Sequence, residues 1–212
     1  MKRFKTVVFD LDGTLTNTLP VIFDAFNHVI SPYSNRIHSN EEISSYFGPS
    51  EENIIANFVP SHEVGQALTN LHSYYVGNSH RVTLFEGIRE IIDLISSRNL
   101  SLFLFTGKGR HGTTITLKQL GLDNTFGAIV TGDDVIRAKP DGEGMLKLLE
   151  DTGTSAEETI FIGDTEADIM AGDAAGVATA LALWGGTIDK DDLSSKPDYI
   201  LGAPNELEEL LI

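Results

Sequence analysis

The stretch that most constrains the fold is a short apolar run near the N-terminus that ends in two acidic residues. Residues 7–11 read VVFDL, which is typical of a buried parallel strand. Asp10 and Asp12 lie at its C-terminal end, and because alternate side chains of a strand point the same way, both carboxylates are expected to face one cleft. Two such charges raise each other's pKa unless a cation or a proton intervenes. The pair therefore indicates chemistry, although Asp12-Gly13 is also ordinary turn sequence.

Length and composition limit the possible functions. The chain has 212 residues, of which 41% are hydrophobic, and it has no cysteine, so disulfides and thiolate chemistry are excluded. Its 15 basic and 31 acidic residues give a formal charge of −16, which argues against binding to nucleic acid or to an anionic membrane. The apolar stretches are too short for a signal peptide or a membrane span. A cytoplasmic protein is expected.

Residues 16–83 carry only helix signals. Apolar residues at helical spacing fill residues 19–30, and Asn40, Ser50 and Ser61 each precede acidic residues, as helix N-caps do. The pattern predicts a small helical bundle. Its four histidines lack the spacing of metal ligands and are expected to be solvated or part of the core: His28, His38, His62 and His72.

From residue 84 onward, helices and strands alternate. Strands are predicted at residues 100–105, 127–131, 159–163, 177–183 and 198–201. Helices are predicted at residues 87–98, 113–120, 142–150, 165–175 and 206–211. This alternation predicts an α/β fold with a doubly wound parallel sheet. Residues 1–15 and 84–212 would form that core, and residues 16–83 would be a helical insertion after the first strand.

Polar residues follow nearly every predicted core strand. They are Asp10 and Asp12, then Thr106 and Lys108, then Lys139, and finally Asp164 and Asp168, which lies one helical turn after Asp164. Taken singly, these residues also fit helix caps and charged turns. Ligands of such sheets, however, bind at the carboxyl ends of the strands. Four carboxylates at one edge need a hard cation, and an all-oxygen set suits Mg²⁺.

These motifs, in this order, resemble the four motifs of the haloacid dehalogenase superfamily of phosphohydrolases. DLDGTL begins at Asp10, Thr106 follows the second core strand, Lys139 precedes a proline, and GDTEAD includes Asp164. The predicted insertion resembles the small α-helical cap of that family. The resemblance implies a Rossmann-like core, Mg²⁺ as cofactor and a small phosphorylated metabolite as substrate.

The resemblance also implies a role for each motif residue. Asp10 would be the nucleophile that forms an aspartyl-phosphate, and Asp12 would be the general acid and then the general base. Thr106, Gly107 and Lys108 would bind the phosphoryl group. Lys139 would neutralise its charge. The carboxylates of Asp10 and Asp164 and the backbone carbonyl of Asp12 would hold Mg²⁺, with Asp168 binding through water.

Three positions depart from the family pattern and leave the substrate open. Gly107 stands where many relatives have asparagine, Asn17 where an aspartate is usual, and the KPDGEG loop at Lys139 lacks a second proline. A phosphomonoesterase resembling phosphoglycolate phosphatase is the first expectation. The helical insertion is expected to determine which substrate is bound, and its residues 47–50 would either face the cleft or form a plain turn.

Other functions are also considered. Pyrophosphatase stays open, as does the oligomeric state. A β-phosphoglucomutase-like enzyme is disfavoured because Ile22 aligns with its histidine. A phosphate-sensing receiver and an inactive binding module fit less well.

Overall fold

The sheet confirms the predicted α/β class. The computed structural model describes residues 4–189 and 193–211. Six strands pair in parallel in the order β5-β4-β1-β6-β7-β8, and β2 and β3 form a separate antiparallel pair. The strands are β1 (Thr6–Phe9), β2 (Thr16–Asn17), β3 (Thr83–Leu84), β4 (Ser101–Phe105), β5 (Ala128–Val130), β6 (Thr159–Gly163), β7 (Ala178–Ala182) and β8 (Tyr199–Leu201).

Helices connect the strands and fill the insertion. They are α1 (Leu19–Ser34), α2 (Asn40–Ser44), α3 (Glu51–Ile55), α4 (Val64–Asn78), α5 (Ile88–Ser97), α6 (Arg110–Gln119), α7 (Glu143–Thr152) and α8 (Glu166–Ala175). Short 3₁₀ helices cover Ser79–Arg81, Gly132–Asp134, Ala156–Glu158 and Pro204–Leu210. Across the described part of the chain, no helix has the length and apolar character that a membrane span requires.

Successive side chains of β1 point to opposite faces of the sheet, and helices cover both faces. Val7 and Phe9 belong to an apolar cluster with α5 and the C-terminal 3₁₀ helix. Val8, between them, belongs to a second cluster with α7 and α8. All three side chains are almost fully buried, as expected for a central parallel strand between two helical layers. The sheet is therefore doubly wound.

Helices α1 to α4, which we call the helical insertion, have an apolar core of their own. Its centre is the contact between α1 and α4, with buried residues such as Phe26, Ile30 and Leu71. The chain enters and leaves this insertion through the β2–β3 pair, in which Thr16 lies opposite Leu84 and Asn17 opposite Thr83. The sequence analysis missed this pair because two-residue strands are too short to show periodicity. The predicted division at residues 15/16 and 83/84 falls at or beside it.

Several predicted element ends were wrong. Helix α6 begins at Arg110, three residues before the prediction, because Asp133 in the 3₁₀ helix Gly132–Asp134 accepts the Arg110 backbone N–H at 2.7 Å. Helix α4 begins at Val64, because residues 61–63 form a turn in which the Glu63 N–H bonds to Pro60. The terminal segment predicted as an α-helix over residues 206–211 is the 3₁₀ helix Pro204–Leu210. Of these ends, the start of α6 is set by a partner distant in sequence and the start of α4 by a local turn.

Candidate active site

Asp10 occupies the first position after β1, at the carboxyl edge of the sheet. Its backbone N–H donates to Ile162 of the neighbouring strand β6 at 2.8 Å, which fixes the backbone at this point. Asp10 is buried, with 7% exposed, and lines a cavity. Asp10 therefore lies at a cavity, at the end of a strand, where the sequence pattern predicts it.

Lys139 joins two of the carboxylates from different loops. Its Nζ donates to Asp10 Oδ1 and to Asp168 Oδ1 at 2.7 Å each, and to the Phe105 carbonyl at 2.9 Å. Burial acts to lower the pKa of Lys139, but Asp10 and Asp168 outweigh it and the pKa is raised. The ammonium is thus held charged and uses all three of its donors within the protein.

Asp164 and Asp168 come together differently from the prediction. Asp164 lies before α8, and Thr165 is the N-cap, so the two acids are not one turn apart on a helix. Asp168 forms a capping box, in which its Oδ2 accepts from the Thr165 hydroxyl at 2.6 Å and from the Thr165 N–H at 3.0 Å. One side chain therefore caps the helix and lines the cavity.

The carboxylates of Asp10, Asp164 and Asp168 fit a hard divalent cation. Each offers an oxygen, and these oxygens lie within 4.8 Å of one another. Asp164 Oδ1 accepts from the Thr14 hydroxyl at 2.8 Å, but its buried Oδ2 has no hydrogen-bond partner among the described residues. Both oxygens of Asp168 already accept hydrogen bonds, which fits the expected contact through water. Oxygen ligands at this spacing suit Mg²⁺.

The charges and pKa shifts at this site also favour a bound cation. Three buried carboxylates face the single ammonium of Lys139. Burial raises the pKa of Asp10 well above its ordinary value, with Lys139 opposing. Burial, followed by repulsion from Asp168, raises the pKa of Asp164 to about 7. A bound cation would favour the ionised form of Asp10 and of Asp164.

The Asp12 carboxylate lies apart from this group. Its Oδ1 accepts from the Thr18 hydroxyl at 2.6 Å, and its Oδ2 is 3.3 Å from Lys108 Nζ. Asp12 is outside the three-carboxylate set, as expected if only its backbone contacts a metal. The sequence analysis missed Thr18, which holds Asp12 from the residue before α1 and carries no recognisable signal of that role.

Thr106, Gly107 and Lys108 form the loop after β4 and line the same cavity. The Thr106 hydroxyl accepts the Lys108 N–H at 3.1 Å. A side chain on Gly107 would place its Cβ 2.7 Å from the Gly48 carbonyl of the helical insertion. The departure from asparagine at this position therefore has a steric reason, because the insertion approaches the core too closely for any Cβ.

Glu51, the first residue of α3, is a buried site residue that the sequence analysis did not identify. Its Oε2 accepts the Gly109 N–H, and its Oε1 lies 4.0 Å from Lys108 Nζ. Burial raises the pKa of Glu51, with Lys108 opposing. In sequence, Glu51 resembles an acidic first-turn residue after the N-cap position Ser50, and only the docking of the insertion onto the core reveals its second contact.

These residues surround one cavity of about 520 Å³ between the core and the helical insertion. The core contributes polar groups, and the insertion contributes mainly apolar ones. Three residues of the predicted loop at 47–50, Phe47, Gly48 and Pro49, do line the cavity. The predicted site residues that line it are Asp10, Asp12, Thr106, Gly107, Lys108, Lys139, Asp164 and Asp168.

Known proteins are similar to this chain along nearly its whole length. Residues 7–182 match the family model described as haloacid dehalogenase-like hydrolase. Pyrophosphatase PpaX of Oceanobacillus iheyensis is 33% identical over 93% of this chain and 92% of its own length. Pyrophosphatase PpaX of Bacillus pumilus is 31% identical over 95% and 94%. A solved structure from Haemophilus somnus, described as a predicted phosphoglycolate phosphatase, covers 99% of both chains with a TM-score of 0.85 at 22% identity, a likeness of fold.

Proposed function

The chain belongs to the haloacid dehalogenase-like hydrolase family, and from that membership we propose that it is a Mg²⁺-dependent phosphatase acting on a small phosphorylated metabolite. The observation that carries this proposal is the bridge from Lys139 to Asp10 and Asp168, 2.7 Å each, on the wall of the cavity between the core and the helical insertion. It sets a candidate nucleophile beside a fixed positive charge and next to the cation-fitting carboxylates.

The chain's own residues would share the chemistry as follows. A carboxylate oxygen of Asp10 attacks phosphorus as the bond from phosphorus to the leaving oxygen breaks, which gives an aspartyl-phosphate. Asp12, held by Thr18 and Lys108, donates its proton to the leaving oxygen. It later takes a proton from the water that attacks phosphorus, as the bond from phosphorus to Asp10 breaks and inorganic phosphate is released. Asp10 and Asp164 would hold Mg²⁺, which supplies positive charge for the phosphoryl oxygens. Thr106 and Lys139 bind those oxygens.

Pyrophosphate hydrolysis is the second candidate, because the two curated relatives described above carry that name at 31–33% identity. A mutase reaction has less support, since Ile22, at the position expected for the mutase histidine, is a buried apolar residue of the cavity wall. The insertion therefore lacks a polar side chain at that position for steering a second sugar hydroxyl.

The test is phosphate release from a panel of phosphate monoesters and pyrophosphate in the presence of Mg²⁺. Intact-protein mass spectrometry after acid quench should show a phosphoryl adduct on the wild type and none on Asp10→Asn, because an amide is a poor nucleophile. Asp12→Asn should lower turnover by about 10²–10⁴-fold, the usual contribution of a general acid. Part of that loss should return with a good leaving group.

Asp93→Asn is the matched control, because this acid is exposed on α5 and should leave turnover unchanged. Wild-type turnover by Asp10→Asn would refute covalent catalysis. Isomerised sugar phosphate without free phosphate would point instead to a mutase.

A further inference from the structure

One wall of the cavity is apolar and aromatic. It is built by the helical insertion, and its residues are Leu19, Ile22, Phe23, Phe26, Phe47 and Ile54. The rings of Phe23 and Phe47 are parallel within 6°, with centroids 5.9 Å apart, and Phe26 tilts against Phe47 at 6.3 Å. Phe23 and Phe47 are only half-buried, so part of each ring is open to a ligand. Such a surface suits an apolar or aromatic group.

The positive charges of the cavity are already paired. Among the described residues that line it, the cations are Lys108 and Lys139. Lys139 binds Asp10 and Asp168. Lys108 Nζ lies 3.3 Å from Asp12, 4.0 Å from Glu51 and 4.4 Å from the centre of the Tyr75 ring. A second anionic group on a substrate would therefore meet more carboxylate than free cation in this part of the chain.

Two buried polar atoms in the same cavity lack hydrogen-bond partners among the described residues. Glu51 Oε1 and the Tyr75 hydroxyl make no hydrogen bond to any described residue, although both side chains are about 95% buried. Buried polar groups are normally satisfied. These two atoms are available to a neutral polar group of a bound molecule.

We propose that the preferred substrate is a phosphate monoester of an uncharged alcohol that carries a ring, with the ring packed on Phe23 and Phe47. The inference rests on the proposed phosphatase function and narrows its substrate class. It predicts that pyrophosphate and phosphoglycolate, whose leaving groups are small and anionic, are poorer substrates than such an ester. Hydrophobic pockets typically discriminate about 10–200-fold for a small apolar group, and a ring offers more contact.

The experiment compares 2-phenylethyl phosphate with ethyl phosphate, phosphoglycolate and pyrophosphate by kcat/KM for phosphate release with Mg²⁺. The first two are both esters of simple primary alcohols, so the ring is the main difference between them. The wild type should prefer 2-phenylethyl phosphate over ethyl phosphate by about tenfold or more. It should also prefer it over the two anionic substrates.

Substitutions of Phe23 and Phe47 test whether these rings cause the preference for 2-phenylethyl phosphate. Phe47→Ala and Phe23→Ala should each lower the ratio of kcat/KM between 2-phenylethyl and ethyl phosphate, because the ring loses its contact surface. Phe58→Ala is the matched control, since Phe58 packs in the same apolar cluster of the insertion but does not line the cavity. It should leave the ratio unchanged. Affinity of the wild type for 2-phenylethylphosphonate over ethylphosphonate, measured by calorimetry, gives a readout that does not depend on the variants folding.

Equal kcat/KM for the two alkyl esters, or a preference for pyrophosphate or phosphoglycolate, would overturn the substrate class while leaving the phosphatase function intact. A ratio unchanged in both folded Phe→Ala variants would overturn the assignment to Phe23 and Phe47. Absence of phosphate release from every compound would instead refute the proposed function itself.

Discussion

Lys139 is the residue on which the charge balance of the site depends. Its ammonium is the one cation within salt-bridge distance of Asp10 and Asp168 among the described residues, and it is 7% exposed. Removing one partner of a buried ion pair leaves an uncompensated charge, which costs far more than losing a surface pair. The site therefore combines a candidate catalytic role with a structural one in a single side chain.

Lys139→Met should lower the free energy of unfolding by about 3–5 kcal/mol at neutral pH and abolish phosphate release. Chemical denaturation measures the first effect. Lys147→Met is the matched control, because Lys147 is an exposed partner of Asp151 on α7 and such pairs contribute about 0–1 kcal/mol. Equal destabilisation by the two substitutions would contradict the buried network.

At this scale, the sequence identified the residues that belong to the motifs but not their partners. Asp10, Thr106 and Lys139 could be placed in one cavity because each follows a core strand or lies in a loop at the carboxyl edge of the sheet. Thr18 and Glu51 could not, because their roles depend on where the helical insertion sits on the core. That placement is a tertiary contact, which no local pattern encodes.

The loop at residues 47–50 of the helical insertion lines the cavity and contacts the core closely. Gly48 has φ +126°, and a Cβ there would lie 2.7 Å from the Lys139 carbonyl. Glycine is therefore required at this position both by its backbone conformation and by the close approach of another backbone. The insertion can approach the lysine loop this closely because residue 48 has no side chain, and it can approach the loop after β4 because residue 107 has none.

Gly48→Ala should raise KM and lower kcat/KM, because backbone strain of about 1–3 kcal/mol falls on the arrangement in which the insertion contacts the core. Steady-state kinetics with thermal unfolding measure the effect. Gly65→Ala is the control, since Gly65 lies in α4 and has no atom within 4 Å of its added Cβ. Unchanged KM in Gly48→Ala would show that this contact does not affect substrate binding.

Helices α4 and α6 meet through a pair of histidines that should make stability depend on pH. The rings of His72 and His111 have centroids 4.5 Å apart. Burial, followed by His111 and Lys108, lowers the pKa of His72 from 6.5 to about 4, and Asp133 opposes this. Between about pH 4 and 6.5 the unfolded chain binds more protons than the folded one at this residue, so its contribution to stability is lost as the pH falls.

His72→Gln should therefore gain stability relative to the wild type as the pH falls from 7 to 4.5, measured as the difference in the free energy of unfolding. His62→Gln serves as the control, because the side chain of His62 is 79% exposed. Parallel pH profiles for the wild type and His72→Gln would contradict the assignment.

Long periodic elements were the easiest to predict. The helix at 87–98 is found as α5 because four isoleucines on one face bury against the sheet, and the apolar run TIFIG is found as strand β6. The β2–β3 pair was missed, and the start of α6 was misplaced. Both depend on pairing with residues far away in sequence, which outweighs local propensity.

At the scale of the whole molecule, the acidic composition and the acidic site have different consequences. The chain carries a formal charge of −16, so it attracts divalent cations weakly over its entire surface. The three-carboxylate group differs because it is buried and its oxygens lie within 4.8 Å of one another. Binding of a divalent cation to the three-carboxylate group should therefore be distinguishable from its weak attraction to the surface. Substitution of one of the three carboxylates should affect only the first, and added salt should weaken mainly the second.

Mg²⁺ should stabilise the folded protein and be required for turnover. A ligand at 100 times its dissociation constant adds about 2.7 kcal/mol to the free energy of unfolding, so the unfolding temperature should rise with Mg²⁺ at constant ionic strength. Asp164→Asn should lose most of this rise, because Asp164 Oδ2 belongs to the three-carboxylate group and has no hydrogen-bond partner among the described residues. Asp93→Asn, which removes one exposed charge from α5, should keep it.

Turnover should disappear in excess chelator and return with Mg²⁺. Ca²⁺ should restore little of it, because its larger and more flexible coordination sphere disturbs the alignment of Asp10 with the phosphoryl group. Ca²⁺ should nevertheless raise the unfolding temperature, since stabilisation needs only binding whereas turnover also needs geometry. Full activity in excess chelator, or an equal Mg²⁺-dependent rise in Asp164→Asn, would show that the buried carboxylates do not hold the ion that turnover requires.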